Sequence, residues 1–238
     1  MFQTRRRQVL AGVVFGTALV LGGCSSSRSA SKEQQKVDQS WMARVPESEL
    51  GDVRNAQAER LKAQDEVTRA DVAVKDAERA AEVAQRNEEA AKLSTKANQT
   101  AVEAAQATGR ASNISQAQAE LKATEGKQAA AHAQLEWRQR AIETQKARKD
   151  LRQRELELAD ARLRQAEMEA LRNSDDVRAK DLSEAEFTSA VANAQRNTEE
   201  AQRLVDQRLG EERQARGEWE KLRGEARGYG GSGTSDGE

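Results

Sequence analysis

The sequence predicts an all-α fold: a long alanine-rich antiparallel coiled-coil hairpin, or an elongated three-helix bundle. Three observations carry that expectation. Of 238 residues, 37% are hydrophobic and 33% charged while aromatics are only 3%, and with much of the apolar share in alanine a large globular core is not expected. A seven-residue apolar register continues over tens of residues, the signature of helices packed lengthwise. No stretch reads as a convincing strand.

Residues 1–23 stand apart from this pattern. Arg5, Arg6 and Arg7 precede an apolar run from Val9 to Leu21, which closes on Leu21-Gly22-Gly23-Cys24. A basic start, an apolar centre and small residues at a cleavage point make an export signal. The run falls short of the roughly 20 residues a spanning helix needs. Here the chain resembles the bacterial lipoproteins, whose lipobox has Leu, two small residues and an obligatory Cys; Leu21, Gly22, Gly23 and Cys24 match it. The resemblance implies cleavage before Cys24, a diacylglycerol on its thiol and acylation of the new amino group. Two or more acyl chains anchor stably where one does not. Ser25 is compatible with the outer membrane, so the expected location is extracytoplasmic, on the outer membrane facing the periplasm. Arg6-Arg7-Gln8-Val9-Leu10 also resembles a twin-arginine export signal. Arg5 replaces the usual Ser or Thr and Ala11 the frequent Lys, which leaves the general secretory route equally open.

Residues 24–46 read as a lipid-anchored tether with a short helix. Ser25 to Ser31 cannot bury apolar area; a helix from Lys32 to Arg44 follows, capped by Ser31, with Trp41 and Met42 as its bulky pair. Pro46 is tolerated only in a first turn, so the main helix is placed at 47–108.

In that helix position d of the register is Ala56, Ala63, Ala70, Ala77, Ala84, Ala91, Asn98 and Ala105, and position a is Val53, Arg60, Val67, Val74, Ala81, Glu88, Thr95 and Val102. Relative to leucine, each alanine gives up roughly 2 kcal/mol of burial, so the seam calls for a bulky partner. Helix 2, at 114–172, supplies one through Ile114, Leu121, Gln128, Leu135, Ile142, Lys149, Leu156 and Leu163. Gly109 reads as a helix stop and Ser112 or Asn113 as the next N-cap. Folding near Ala111 brings Thr95 and Asn98 level with Gln128 and Thr124, and Glu88 near Arg138. The alternative is one helix running through Gly109, which costs only about 1 kcal/mol.

Asn173-Ser174-Asp175-Asp176 allows a break, with Ser174 placed to cap helix 3 at 175–227. The register continues there through Val177, Val191, Val205 and Trp219, supported by Phe187, Ala194, Ala201 and Leu222. Three such segments can lie side by side over about 90 Å, at 1.5 Å per residue. Residues 228–238 are a glycine-rich tail, expected to be disordered.

Catalysis is not expected. His132 is the only histidine, so His-based metal sites and nucleophile pairs lack a second member. It reads as a solvated side chain, as do the acidic pairs Glu88-Glu89 and Asp175-Asp176. No cofactor, metal or small-molecule substrate is implied. Removing the three leader arginines from 39 basic residues leaves 36 against 40 acidic, a balance that argues against nucleic acid.

The rod is similar in composition to the helical periplasmic protein of the Tol system and to the murein lipoprotein. It ends in Asp236-Gly237-Glu238 instead of the wall-linking Lys of the latter, so that covalent attachment is not expected. The sequence therefore points to a lipid-anchored spacer or scaffold with protein partners through its coiled coil. The alternative is an accessory or adaptor subunit of an export, efflux or Tol-like machine.

Overall fold

The computed structural model describes residues 37–228, and no strand occurs among them. The leader with Arg6, Arg7, Leu21, Gly22, Gly23 and Cys24, the proposed Ser31 cap and the tail from Tyr229 lie outside the described residues. Helix α1 spans Gln39–Met42, α2 Gly51–Thr108, α3 Ala111–Asn173 and α4 Glu184–Gly228, with 3-10 turns at Glu47–Glu49 and Val177–Asp181.

The first helix is shorter than expected. Asp38 caps it, accepting from the Ser40 N–H at 2.8 Å. Pro46 opens the 3-10 turn instead of α2 itself. Leu50 explains the delay: its side chain packs into an apolar cluster at this end, and its backbone leaves helical geometry at φ −91°, ψ 1°.

The hairpin turn is tight. Gly109 takes φ 68°, the left-handed conformation that glycine adopts without a Cβ penalty, and its N–H bonds to the Gln106 carbonyl at 3.1 Å. Neither Ser112 nor Asn113 is the N-cap. That place belongs to Arg110, whose carbonyl accepts the N–H groups of Asn113 and Ile114, each at 3.1 Å. Similarly, Ser174 does not cap the third helix. It closes α3, its hydroxyl donating to the Leu171 carbonyl at 2.8 Å. Asp175 turns left-handed at φ 54°, and Asp176 caps the 3-10 turn through the Arg178 N–H at 2.9 Å. Helix α4 therefore begins nine residues later than 175, because Ala179 and Leu182 are drawn into the same apolar cluster as Leu50. Val177 consequently leaves the register and is exposed.

α2 and α3 run antiparallel. In the cross-helix contacts Arg60–Asp160, Asp71–Lys149 and Glu88–His132 the two residue numbers add to 220 each time, so one register holds along the hairpin. The a and d positions of α2 all lie buried or half-buried, as do the large aliphatics of the α3 seam.

α4 packs on the other flank of α3. Gly126, Ala130, Ala133, Trp137, Thr144, Ala147 and Leu151 form a second stripe, spaced by three and four or multiples of seven. Thr144 follows Ile142 by two residues, about 200° round the helix, which turns this stripe away from α2. Ala147 and Leu151 cluster with Ala201, Val205 and Leu209 of α4, and a Cβ added at Gly126 would lie 3.7 Å from the Ala226 Cα. α2 and α4 do not pack along each other. The three long helices thus form a layer with α3 in the middle, not a closed bundle.

Candidate interaction surfaces

One end of the layer, the base, holds its bulkiest core. Val37, Val45 and Val53 meet Met168, Leu171 and Phe187 there, with Trp41 and Met42 packed against them. Met168 and Leu171 are 0% exposed. Arg178 pairs with Asp176 through two guanidinium nitrogens and stands 5.2 Å from the Trp41 ring centroid. The hydrogen bonds that Arg178 donates from its side chain and backbone, and after them its charge, hold the Asp176 carboxyl down at about 2. Glu167 is buried beside this cluster and accepts from the Gln39 amide at 3.1 Å; burial pushes its carboxyl up. The segment leading from residue 37 to α2 is thereby pinned to the end of α3.

Polar groups interrupt the α2–α3 seam at matched levels. Asn98 donates to the Thr124 hydroxyl at 3.2 Å, and the Thr95 hydroxyl lies 3.3 Å from the Thr124 carbonyl. Glu88 is buried and meets His132, not Arg138: the His132 Nδ1 lies 2.7 Å from Glu88 Oε1. Register 220 puts residue 132 opposite residue 88, and Arg138 instead covers the Trp137 ring at 4.0 Å. Lys92, 2.8 Å from Glu88, is the main cause that lowers the Glu88 carboxyl, with His132 adding to it against the burial. Further down, Lys149 and Lys75 hold Asp71 at 2.6 and 2.7 Å and lower its carboxyl to about 2. The histidine is largely exposed but it is bonded, and the expectation of a merely solvated ring missed that bond.

The α3–α4 seam holds an aromatic clamp about two turns before Ala226 near the end of α4. Trp137 stacks on Trp219 with centroids 4.7 Å apart, and Arg216 and Arg223 approach the two rings. The Trp137 indole N–H is buried and meets no acceptor among the described residues. Beyond this clamp α4 stops beside Gly126, so α2 and α3 continue as a two-helix tip to Gly109.

Two outward faces remain. On α2, Leu61, Val72, Val83 and Leu93 are 59, 53, 57 and 70% exposed; with Val53 as position a they occupy b, f, c and f, the side away from α3. On α4, Gly210, Gly217 and Gly224 recur every seven residues, and nothing lies within 4 Å of a Cβ built on any of them. Neither face draws notice in a sequence scan for the packed seam, since one is interspersed with charges and the other carries no side chain.

Among the described residues, no three His, Cys, Asp or Glu are placed to hold a metal, and no helix is long and apolar enough to cross a membrane. No family model, curated protein or solved structure matches this chain.

Proposed function

We propose that this protein is a lipid-anchored spacer or scaffold of the bacterial envelope, held to the outer membrane through Cys24 and reaching into the periplasm with its helical layer. The observation that carries the reading is the polarity of the fold. Residue 37, where the described chain begins, is pinned at the base with the bulky core, while the hairpin turn at Gly109 lies at the other end of α2, whose 58 residues span about 87 Å. Twelve residues, 25–36, separate Cys24 from that base.

The uncovered two-helix tip favours a second reading, an adaptor whose hairpin end docks on a helical partner of an export, efflux or Tol-like machine. Photo-crosslinkers placed at Gln106 and Gln116 on the tip, and separately at Arg203 on α4, distinguish the two. Capture of one protein from the tip positions alone supports the adaptor.

Palmitate labelling tests the anchor. Cys24→Ala should abolish the label and leave the precursor uncleaved. Continued labelling of that variant would overturn the lipoprotein reading.

A further inference from the structure

We propose that copies of this chain pack side by side in the same direction, the outward face of α2 in one copy seated on the outward face of α4 in the next. Single exposed apolar residues are ordinary, but Leu61, Val72, Val83 and Leu93 are all large, all more than half exposed and in line. Their spacings of 11, 11 and 10 residues keep them within an arc of about 80° at 100° per residue, opposite the α3 seam. They stand about 15–17 Å apart at 1.5 Å per residue, so they are separate knobs along one outward line, each able to seat against a small residue opposite.

The occupant is identified by fit and charge. Contacts Gly126–Ala226 and Thr144–Arg208 both have residue numbers that add to 352, against 220 across the hairpin. An α4 residue therefore lies level with the α2 residue numbered 132 lower, and a sideways shift of a whole copy preserves those levels. Leu93 then comes beside Gly224, and Val83 between Gly210 and Gly217, so the side chains meet bare backbone. Asp65 comes within one residue of Arg196, and Glu89 stands level with Lys221; all four are exposed. The glycines are not used by their own copy, since nothing lies within 4 Å of their missing Cβ atoms, yet glycine is among the weakest helix formers.

Pairing α2 with another α2 fits less well. Antiparallel, the alignment that matches Leu61 with Leu93 and Val72 with Val83 sets Arg69 against Arg86; parallel, it stacks Arg79 on Arg79. The α2–α4 contact is heterologous, so every added copy presents the same two faces again and the product is a ring or a row. All base ends stay level, which a single membrane would accommodate, but the contact does not depend on a lipid.

Disulfide trapping tests this in membranes from cells that make the full chain. Leu93→Cys in one tagged copy and Gly224→Cys in a differently tagged copy should join on mild oxidation, with the linked peptides identified by mass spectrometry. The double variant should give a ladder of dimers, trimers and longer species, and neither single variant alone should link 93 to 93 or 224 to 224. Both positions are exposed and the helicity should match the parent. Asp65→Arg should cut the mixed disulfide about tenfold or more, because like charges across a contact cost more than the pair gains, and Arg196→Asp in the neighbouring copy should restore it. Absence of the mixed disulfide in helical variants, or equal linkage of Leu93→Cys to itself, overturns the proposal.

Discussion

Leu171→Ala should destabilise the protein more than any comparable truncation along the α2–α3 seam. Leu171 is 0% exposed and packs among residues drawn from both sides of the base. Removing three carbons forfeits about 2.4 kcal/mol of transfer free energy at about 0.8 per methylene. The cavity adds to that, and the total should be near 4 kcal/mol, within the about 2–5 seen for buried Leu→Ala changes. At about 2–4 °C per kcal/mol for a chain of this size, melting followed by circular dichroism should fall by about 8–16 °C. Leu121, half-buried in the alanine seam, should lose only about half as much when changed to Ala. Digestion at limiting protease should also release α4 from the Leu171→Ala variant first, because the base joins its start to the hairpin. A melting shift for Leu171→Ala no larger than that for Leu121→Ala would refute the view that the base is the main core.

Three further outcomes follow from the geometry. In a chain lacking Cys24 and the signal, Asn98→Cys with Thr124→Cys should close an intramolecular disulfide, since these side chains are in hydrogen-bond contact; a straight helix would hold them about 39 Å apart, and a persistently reduced pair would argue for that. Asp71 is lowered from 3.8 to about 2, so its stabilisation is complete above 3.8 and lost as pH falls through about 2. Asp71→Asn should be less stable than the parent at pH 6, with the two converging in acid, and a constant gap down to pH 2 would contradict the assignment. Glu167 is shifted the other way by burial, so its folded form holds a proton that the unfolded form releases above 4.5. The parent should therefore lose stability as pH rises from that value, and Glu167→Gln should be the more stable protein at pH 7; equal or lower stability there would count against it.

The α2–α3 pairing was legible because its two seams contrast, alanine at Ala56 to Ala105 against leucine and isoleucine from Ile114 to Leu163. The α4-facing stripe of α3 has no such contrast. Ala130, Ala133 and Ala147 look like ordinary helix-forming residues, and only the positions of Trp137 and Leu151 hint at a second face. The base was harder still, since Val37, Leu50, Met168, Ala179 and Phe187 come from separate segments and share no period. Cap positions failed for the same reason. Ser112 and Ser174 have the right chemistry, but tertiary packing of Leu50 and Leu182, and the tight turn at Gly109, decided where helices begin. Centring the turn on Ala111 instead of Arg110 shifts the register by two residues and sets residue 134 opposite Glu88; Arg138 lies one further helical turn along, and His132 two residues before.

Placing α2 and α4 on opposite flanks of α3 has a mechanical consequence. Three parallel cylinders of about 5 Å radius, set about 10 Å apart in one plane, form a ribbon, not a round shaft. Treated as one elastic section, such a ribbon resists bending within its plane about tenfold more than bending across it. Where α4 ends beside Gly126 the width drops from three helices to two, and edgewise stiffness falls most. Load applied at the Gly109 end would therefore bow the protein across its thin dimension, and concentrate edgewise deflection just past the Gly126–Ala226 contact.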